Sequence, residues 1–462
     1  MAGGTGANLI FGFRPNANAW GSGAAVLVGA GHQREIEALP LTAAVELIQN
    51  QGLTGAGTRR PSKAGNRVVQ ADMGPFPLYF RGLEELVAQA MGAAPAPTQL
   101  GGGDAYRHPY LMDPSNLGLY GTVVAAGDDH PAVREFPFVK LGGVTFDFQQ
   151  NALGKASFPS IGFDEYLNVG AADPDLVVVP VEPANGDLTI AAQPSYPGPL
   201  SVLVVDGDAS ITELIIDFYG QDDRGVAITE RYQLSVDGLT WTSAKRWSQV
   251  DSAPLSGLTG TATGDTVQVG TAIGVNTEAT LSGISLPTTE DYQLVTFEMM
   301  QVWIGRQDGA AFADADLVHP DAVRITVNRA LQPKFTTRFG NRSDEPTSQD
   351  FRMAELGLNL PEWDTRNNQI LRDRLLARPQ KVLVQLQGAI AADIYPLEWS
   401  FYFNNVQFRE GGVPISGPGE MRFDLVGEGH RALAAATGAP TWADLQPLSI
   451  SNVNLRTTSA LA

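Results

Sequence analysis

Short β-branched and aromatic runs, broken every few residues by Gly, Pro, Asn or Asp, set the rhythm of this chain. Leu9-Ile10-Phe11-Gly12-Phe13 predicts an opening strand, and Ala24 to Val28 and Glu35 to Leu39 continue it. Between Leu83 and Met91 a helical period takes over. Leu83, Leu86, Val87 and Ala90 fall on one face, and Gly92 supplies the stop. Val139 to Phe148 and Ala156 to Phe163 then predict closing strands.

The same order returns in the last third. Leu294 to Ile304 and Val323 to Val327 predict strands, and a helix is expected near Asn367 to Ala377. Its apolar positions are Ile370, Leu371, Leu375 and Leu376, with Asp364 or Thr365 as cap and Pro379 as stop. Val382 to Gly388, Glu398 to Phe408 and Glu420 to Val426 complete the sheets. Each copy also carries a basic, glycine-bearing loop before a short apolar strand. In the first, Thr58-Arg59-Arg60-Pro61-Ser62-Lys63-Ala64-Gly65-Asn66-Arg67 leads into Ala71 to Leu78. In the second, Thr337-Arg338-Phe339-Gly340-Asn341-Arg342 leads into Met353 to Pro361. A chain that carries one module twice holds two copies of one surface, which suits a symmetric ring better than a single cleft.

The middle segment has a rhythm of its own. Leu200 to Val205, Ile211 to Phe218, Ala227 to Val236 and Thr266 to Gly270 are β-branched runs separated by Asp-Gly and Thr-Gly-Asp turns, a spacing that fits an immunoglobulin-like sandwich. It is also the acidic part, with fourteen Asp and Glu against four Lys and Arg between Asp175 and Glu278. The expected class is therefore mainly β: two β-sandwich or barrel modules, each with one flanking helix, at 1–172 and 288–462, and an inserted immunoglobulin-like sandwich at 173–287.

Composition narrows the functions. Apolar content of 43% and charged content of 18% over 462 residues describe a folded protein with ample core. There is no cysteine, hence neither a disulfide framework nor a thiolate metal site. His32, His108, His130, His319 and His430 show no metal-ligand spacing and read as surface or satisfied core residues. No secretory signal is read at Met1 to Asn8, and no run approaches the ~18 apolar residues of a membrane span. A net charge of −19 argues against gripping nucleic acid through its phosphates, although not against letting it slide past.

Other chemical signals are weak. Gly3-Gly4-Thr5-Gly6 and Gly101-Gly102-Gly103 lack phosphate-loop context. Asp128-Asp129-His130 and Asp222-Asp223 read as turns rather than cation sites. Glu84 and Glu85 point apart on a helix, a poor geometry for paired acid and base work, and no nucleophile elbow occurs. The seven tryptophans read as core or interface anchors. Neither catalysis nor a cofactor is expected.

The Phe11-Gly12-Phe13 and Trp20-Gly21-Ser22 opening, the basic loop, the single helix, and the endings Val139 to Phe146 and Phe403 to Arg409 together resemble the major tail tube protein of long-tailed bacteriophages. The likeness covers about three quarters of the chain. It implies a virion protein, made in the host cytoplasm, whose sandwiches assemble into rings with an inner β-barrel. Two fused modules imply that three chains make a pseudo-sixfold ring, and that stacked rings form a conduit for DNA. The implied partners are further copies of the chain, tail tip and tail terminator proteins, and the tape measure protein and DNA in the lumen, with no membrane. The basic residues Arg59, Arg60, Lys63, Arg67, Lys334, Arg338 and Arg342 are the expected interface between subunits or rings, docking on acidic faces. The acidic insert is expected to decorate the exterior. The alternative is a baseplate or adhesion component that binds a host-surface glycan, and a polysaccharide-degrading enzyme ranks third.

Overall fold

Alternation of apolar and polar residues puts one face of an extended strand into a core, and Met353 to Leu360 is a plain case, with Ala354, Leu356, Leu358 and Leu360 buried. That pattern recurs throughout, and the fold is mainly β, in antiparallel sheets. The computed structural model describes residues 9–21, 25–48, 63–113, 115, 117–127, 132–169, 173–194, 197–222, 225–260, 263–272, 293–336, 342–360, 365–412 and 423–461.

The first module contains β1 (Leu9–Pro15), β2 (Gln33–Arg34), β3 (Ala43–Ile48), β4 (Lys63–Pro77), helix α1 (Glu84–Met91), β5 (Gly92–Ala93), β6 (Thr98–Gln99), β7 (Tyr106–Met112), β8 (Gly121–Gly127), β9 (Ala132–Leu141), β10 (Gly143–Gln149), β11 (Lys155–Gly162) and β12 (Tyr166–Val169). Its main ladder runs β3-β4-β11-β9-β8-β1-β2, antiparallel throughout. The insert follows with β13 (Asp173–Val181), β14 (Gly186–Asp187), β15 (Gly198–Val205), β16 (Glu213–Gln221), β17 (Ala227–Gln233), the helical turn α2 (Leu234–Asp237), β18 (Thr240–Trp247), β19 (Gln249–Ser252), β20 (Pro254–Thr259) and β21 (Thr266–Thr271). The second module holds β22 (Met300–Arg306), β23 (Leu317–Val318), β24 (Ala322–Asn328), β25 (Leu331–Phe335), β26 (Ser343–Ser348), β27 (Met353–Leu360), α3 (Thr365–Leu375), β28 (Gln380–Ala392), β29 (Tyr395–Gly412), β30 (Phe423–Gly429) and β31 (Ser449–Asn454). Its ladder runs β24-β27-β30-β29-β28-β22-β23.

The two ladders are the same ladder. Ala43, Val69, Gly162, Val139, Gly121 and Pro15 are successive cross-strand partners in the first. Val327, Ala354, Gly429, Val406, Gln380 and Arg306 are the corresponding partners in the second. Even the irregularity repeats. Between Leu141 and Thr145 one extra residue faces Ser160 to Ser157, and between Phe408 and Gly412 one extra residue faces Gly427 to Asp424. In each copy the helix follows the strand that leaves the basic loop, so β29 stands for β9 and β10 together.

The modules share one core. Residues from Phe11 to Ala460 form a single apolar cluster, in which Phe146 meets Phe401 edge-on at 4.8 Å and Tyr110 stacks on Trp399 at 6.2 Å. Two ladders stitch the halves together: β10 with β24, and β7 with β31. All eight residues of α1 are buried at this junction, including Glu84, Glu85 and Gln89, not only its predicted apolar face. In α3 the outcome is reversed, since Ile370 and Leu371 pack inward while Leu375 and Leu376 face solvent.

Three local expectations are corrected. Residues 25–28 and Glu35 to Leu39 form no strand, because Leu27 gives its carbonyl to the Arg14 side chain and Glu37 donates to Pro75 rather than to a ladder. The run from Leu294 begins as a strand only at Met300, after a 3-10 turn at Phe297–Met299. Ala227 to Val236 breaks at Leu234, where the Asp237 carboxylate takes the Gln233 N–H and closes a helical turn. The insert is a two-sheet sandwich with its own core, ordered β13-β21-β15-β18 and β14-β20-β16-β17, with β19 on β16. An immunoglobulin domain places its last strand in the sheet opposite its first. Here the link from β20 crosses between sheets, so β21 lies between β13 and β15.

Arg329, 1% exposed, reaches from the second module to the C-terminal end of α1. It donates to the Gln89 and Ala90 carbonyls at 3.2 Å and to Asp113 at 2.9 Å, where a helix leaves carbonyls unpaired. Gly92 makes room for it, with φ of 98° and a site for Cβ only 2.6 Å from Arg329 Nη2. Gly92→Ala is expected to cost about 2 kcal/mol or more in denaturant unfolding, because it adds left-handed strain and displaces the buried guanidinium.

On the second stitch, His108 of β7 faces Asn452 of β31 and donates a ring N–H to the Arg456 carbonyl at 2.9 Å. Burial pushes its pKa from 6.5 down to about 4, helped by the Arg456 and Arg81 charges. The native imidazole therefore stays neutral where the unfolded chain takes up a proton. Stability should fall as pH drops from about 6.5 to about 4, by up to about 3 kcal/mol, and His108→Gln should flatten thermal melts across that window.

Candidate functional site

After β11 the chain reads Phe163-Asp164-Glu165-Tyr166-Leu167-Asn168, and cations from all three parts of the molecule converge on this short segment. The Asp164 side chain is completely buried. Arg67 of β4 brings Nε to 2.9 Å from its Oδ1, and Arg342, just before β26, brings Nε against Oδ2. These are ion-pair contacts. Directed hydrogen bonds add to them, from Glu165 N–H to Asp164 Oδ1 at 2.9 Å and from Arg67 Nη2 to the Glu165 carbonyl at 3.1 Å. The Arg342 guanidinium also lies over Phe163 at 5.4 Å and Tyr166 at 5.9 Å. Glu165 holds Arg134 at 2.7 Å and accepts the Ala43 N–H at 2.7 Å, tying β3 to the hub. From the insert, Arg246 covers Tyr166 at 4.5 Å and donates to Asn168 Oδ1 at 2.9 Å and the Leu167 carbonyl at 3.1 Å.

Of the seven cations assigned to an inter-subunit face, Arg67 and Arg342 are thus brought together, one from each basic loop, on a carboxylate of their own chain. The reason is electrostatic, since a fully buried Asp164 without counter-charge would be far costlier than the desolvation of two half-buried arginines. Lys334 stands exposed on β25. Arg59, Arg60, Arg338 and the side chain of Lys63 lie outside the described residues, as do Asp128, Asp129 and His130.

The second basic loop grows from the β25–β26 hairpin, which lies across the first module. Trp20 Nε1 donates to the Ser343 carbonyl at 3.1 Å, within a cluster of Trp20, Tyr120, Phe138 and Phe163. Lys140, 1% exposed, meets Glu345 at 2.5 Å, and Gly118 N–H donates to the same oxygen at 2.9 Å. Burial pushes the Lys140 ammonium pKa down, against the pull of Glu345.

Beneath the hairpin runs the β10–β24 ladder, and its register defines a joint between unlike edges. Val144 faces Val327, and Thr145 faces Thr326 with hydroxyls 3.4 Å apart. By the duplication, β3 with the residues before it stands for β24, and the end of β29 stands for β10. Among the described residues, β3 is laddered only to β4, and β29 beyond Val406 only to β30. Thr42 just before β3 and Ala44 and Glu46 along it are exposed. One joint of this kind is made inside the chain, and among the described residues the edges for a second carry no ladder.

The paired acids of α1 serve the fold. Glu84 accepts from Gly82 N–H at 2.7 Å and Asn454 at 2.8 Å. Burial alone would raise the Glu85 carboxyl, but His32, Arg34 and Arg456 overcome it and hold it below its ordinary range. Asp222 closes a turn onto the Val226 N–H, as its sequence context implies.

No family model matches the chain, and no curated protein matches it in sequence.

Asp164→Asn leaves two partly buried guanidiniums without their anion and is expected to cost about 3 kcal/mol in urea unfolding. A double-mutant cycle with Arg342→Met should return strong coupling, because both changes act on one contact.

Proposed function

We propose that the protein is a structural subunit that joins head to tail with further copies of itself into closed rings, and that these rings stack into the tail tube of a bacteriophage. The observation that carries the reading is the repeated ladder, with one joint made and, among the described residues, the edges of a second unpaired. An unpaired strand edge is a template for another strand, and a heterologous joint that repeats with constant rotation ends only when a ring closes. In this reading the end of β29 pairs with Thr42 to Ala44 of the next copy, as β10 pairs with β24 within the chain. Register follows from the duplication. Gly412 takes the place of Thr145 and Thr42 that of Thr326, so the two should lie opposite each other across each seam.

Three chains then supply the six modules of a ring. In this reading the first basic loop, with Arg59, Arg60 and Lys63, contacts the neighbouring copy, since in sequence it holds the place in its module that the β25–β26 connection holds in the second. The acidic insert stands outside the ring. A net negative subunit suits a conduit, because acids facing a lumen repel phosphate within about 8 Å at physiological salt. Tail tip, terminator and tape measure proteins are the partners this role requires. No catalytic step or cofactor belongs to it.

The cysteine-free sequence makes the seam directly testable. Carrying Thr42→Cys and Gly412→Cys together, the protein should form oxidised dimers and trimers at concentrations that favour assembly, with hollow tubes in negative stain. Neither single variant should pass beyond a dimer. Tubes without the cross-link would refute this register, and compact monomers under every assembly condition would refute the tube.

A further inference from the structure

The insert carries a cluster that the ring does not use. The loop from β15 to β16 reads Asp206-Gly207-Asp208-Ala209-Ser210, and the turn from β20 to β21 ends in Gly264-Asp265. One carboxylate oxygen each from Asp206, Asp208 and Asp265 lies within 4.8 Å of the other two. Asp208 is exposed and Asp206 half-buried, but Asp265 is 4% exposed. Its Oδ1 accepts the Gly207 N–H at 2.9 Å, while its Oδ2 is closed off from solvent with no hydrogen-bond donor. The ion pair described within the insert, Arg231 with Asp217, lies elsewhere.

A buried carboxylate oxygen lacking a donor, set beside two more carboxylates, is unfavourable twice over. It forfeits solvation, and it sits among like charges. A cation resolves both at once. We propose that Asp206, Asp208 and Asp265 form a calcium site that staples the two sheets of the insert.

The donor set decides the metal. All three ligands are hard oxygens, with no imidazole or thiolate to favour zinc or copper. Oxygens on one Ca²⁺ ion stand 2.3–2.6 Å from it and so up to about 5 Å from each other, whereas the tighter Mg²⁺ shell spans about 4.2 Å. Mg²⁺ keeps most of its waters and is usually held by one or two carboxylates, so three carboxylates from two loops fit the larger ion, and exposed Asp208 leaves room for the waters that complete its shell. Position gives the site its effect. Both loops cross between sheets, from β15 to β16 and back from β20 to β21, so one ion would fix both crossings.

The full-length protein, freed of metal with a chelator, should take up about one Ca²⁺ per chain in calorimetric titration, with Kd between about 10⁻⁶ and 10⁻³ M. Calcium should also raise the melting transition of the insert. Asp208→Asn, on an exposed side chain, should weaken binding at least about tenfold, as should Asp265→Asn. Absence of saturable uptake up to about 10 mM Ca²⁺, or uptake unchanged in both variants, would overturn the site.

Discussion

The antiparallel ladder between Gly143–Gln149 and Ala322–Asn328 is the joint on which the rest of the molecule depends. It turns two modules into one sheet system and lets Phe146 on one side pack against Phe401 on the other. The Arg329 cap on α1 and the Lys140 pair with Glu345 both require the two modules in this register. A sheet edge leaves its N–H and C=O groups to solvent unless a strand, helix or loop covers it, and a chain built of two like modules pairs one such edge internally.

Charge placement follows from the same joint. The chain has 31 basic residues against 50 acidic ones, and several of its arginines are spent inside it: Arg67 and Arg342 on Asp164, Arg134 on Glu165, Arg329 on the carbonyls ending α1. Buried pairs of this kind add little net stability over apolar packing, but a wrong arrangement leaves a bare charge at a cost of several kcal/mol. Their effect is to specify one alignment of hairpin, hub and insert. Arginines used internally in this way leave fewer to offset the acidic residues elsewhere in the chain.

Much of the fold was legible because strand alternation and the helix stop at Gly92 are local signals. The equivalence of the two basic loops could also be read, since each lies between cognate strands. Pairing partners could not. Nothing in Ala24 to Val28 distinguishes a strand from a segment held by the Arg14 side chain, and nothing in Leu375-Leu376 says that this end of α3 meets solvent. The hub escaped for a similar reason. Two basic loops free of acids in a chain of net charge −19 implied a distant carboxylate, and Asp164-Glu165 stood just after a predicted strand, but only the fold brings Arg67 and Arg342 to it. The orphaned oxygen of Asp265 belongs to the same class, because burial is a tertiary fact.

The insert's position between the copies follows from the ladder. β12 in the first module and β31 in the second are equivalent, each returning along the first half of the long strand that precedes it. Beyond that point a module has no further ladder strand to make, so a domain added after β12 interrupts neither copy. The two equivalent strands are then completed differently. β31 takes β7 as a second partner, whereas β12 receives Arg246 from the insert, on the Leu167 carbonyl and across the Tyr166 ring. A side chain of the added domain thus satisfies a backbone group of β12 where its counterpart uses a strand. An insert placed within the β24–β27 connection would instead have displaced the β25–β26 hairpin, whose Ser343 and Glu345 contact the first module.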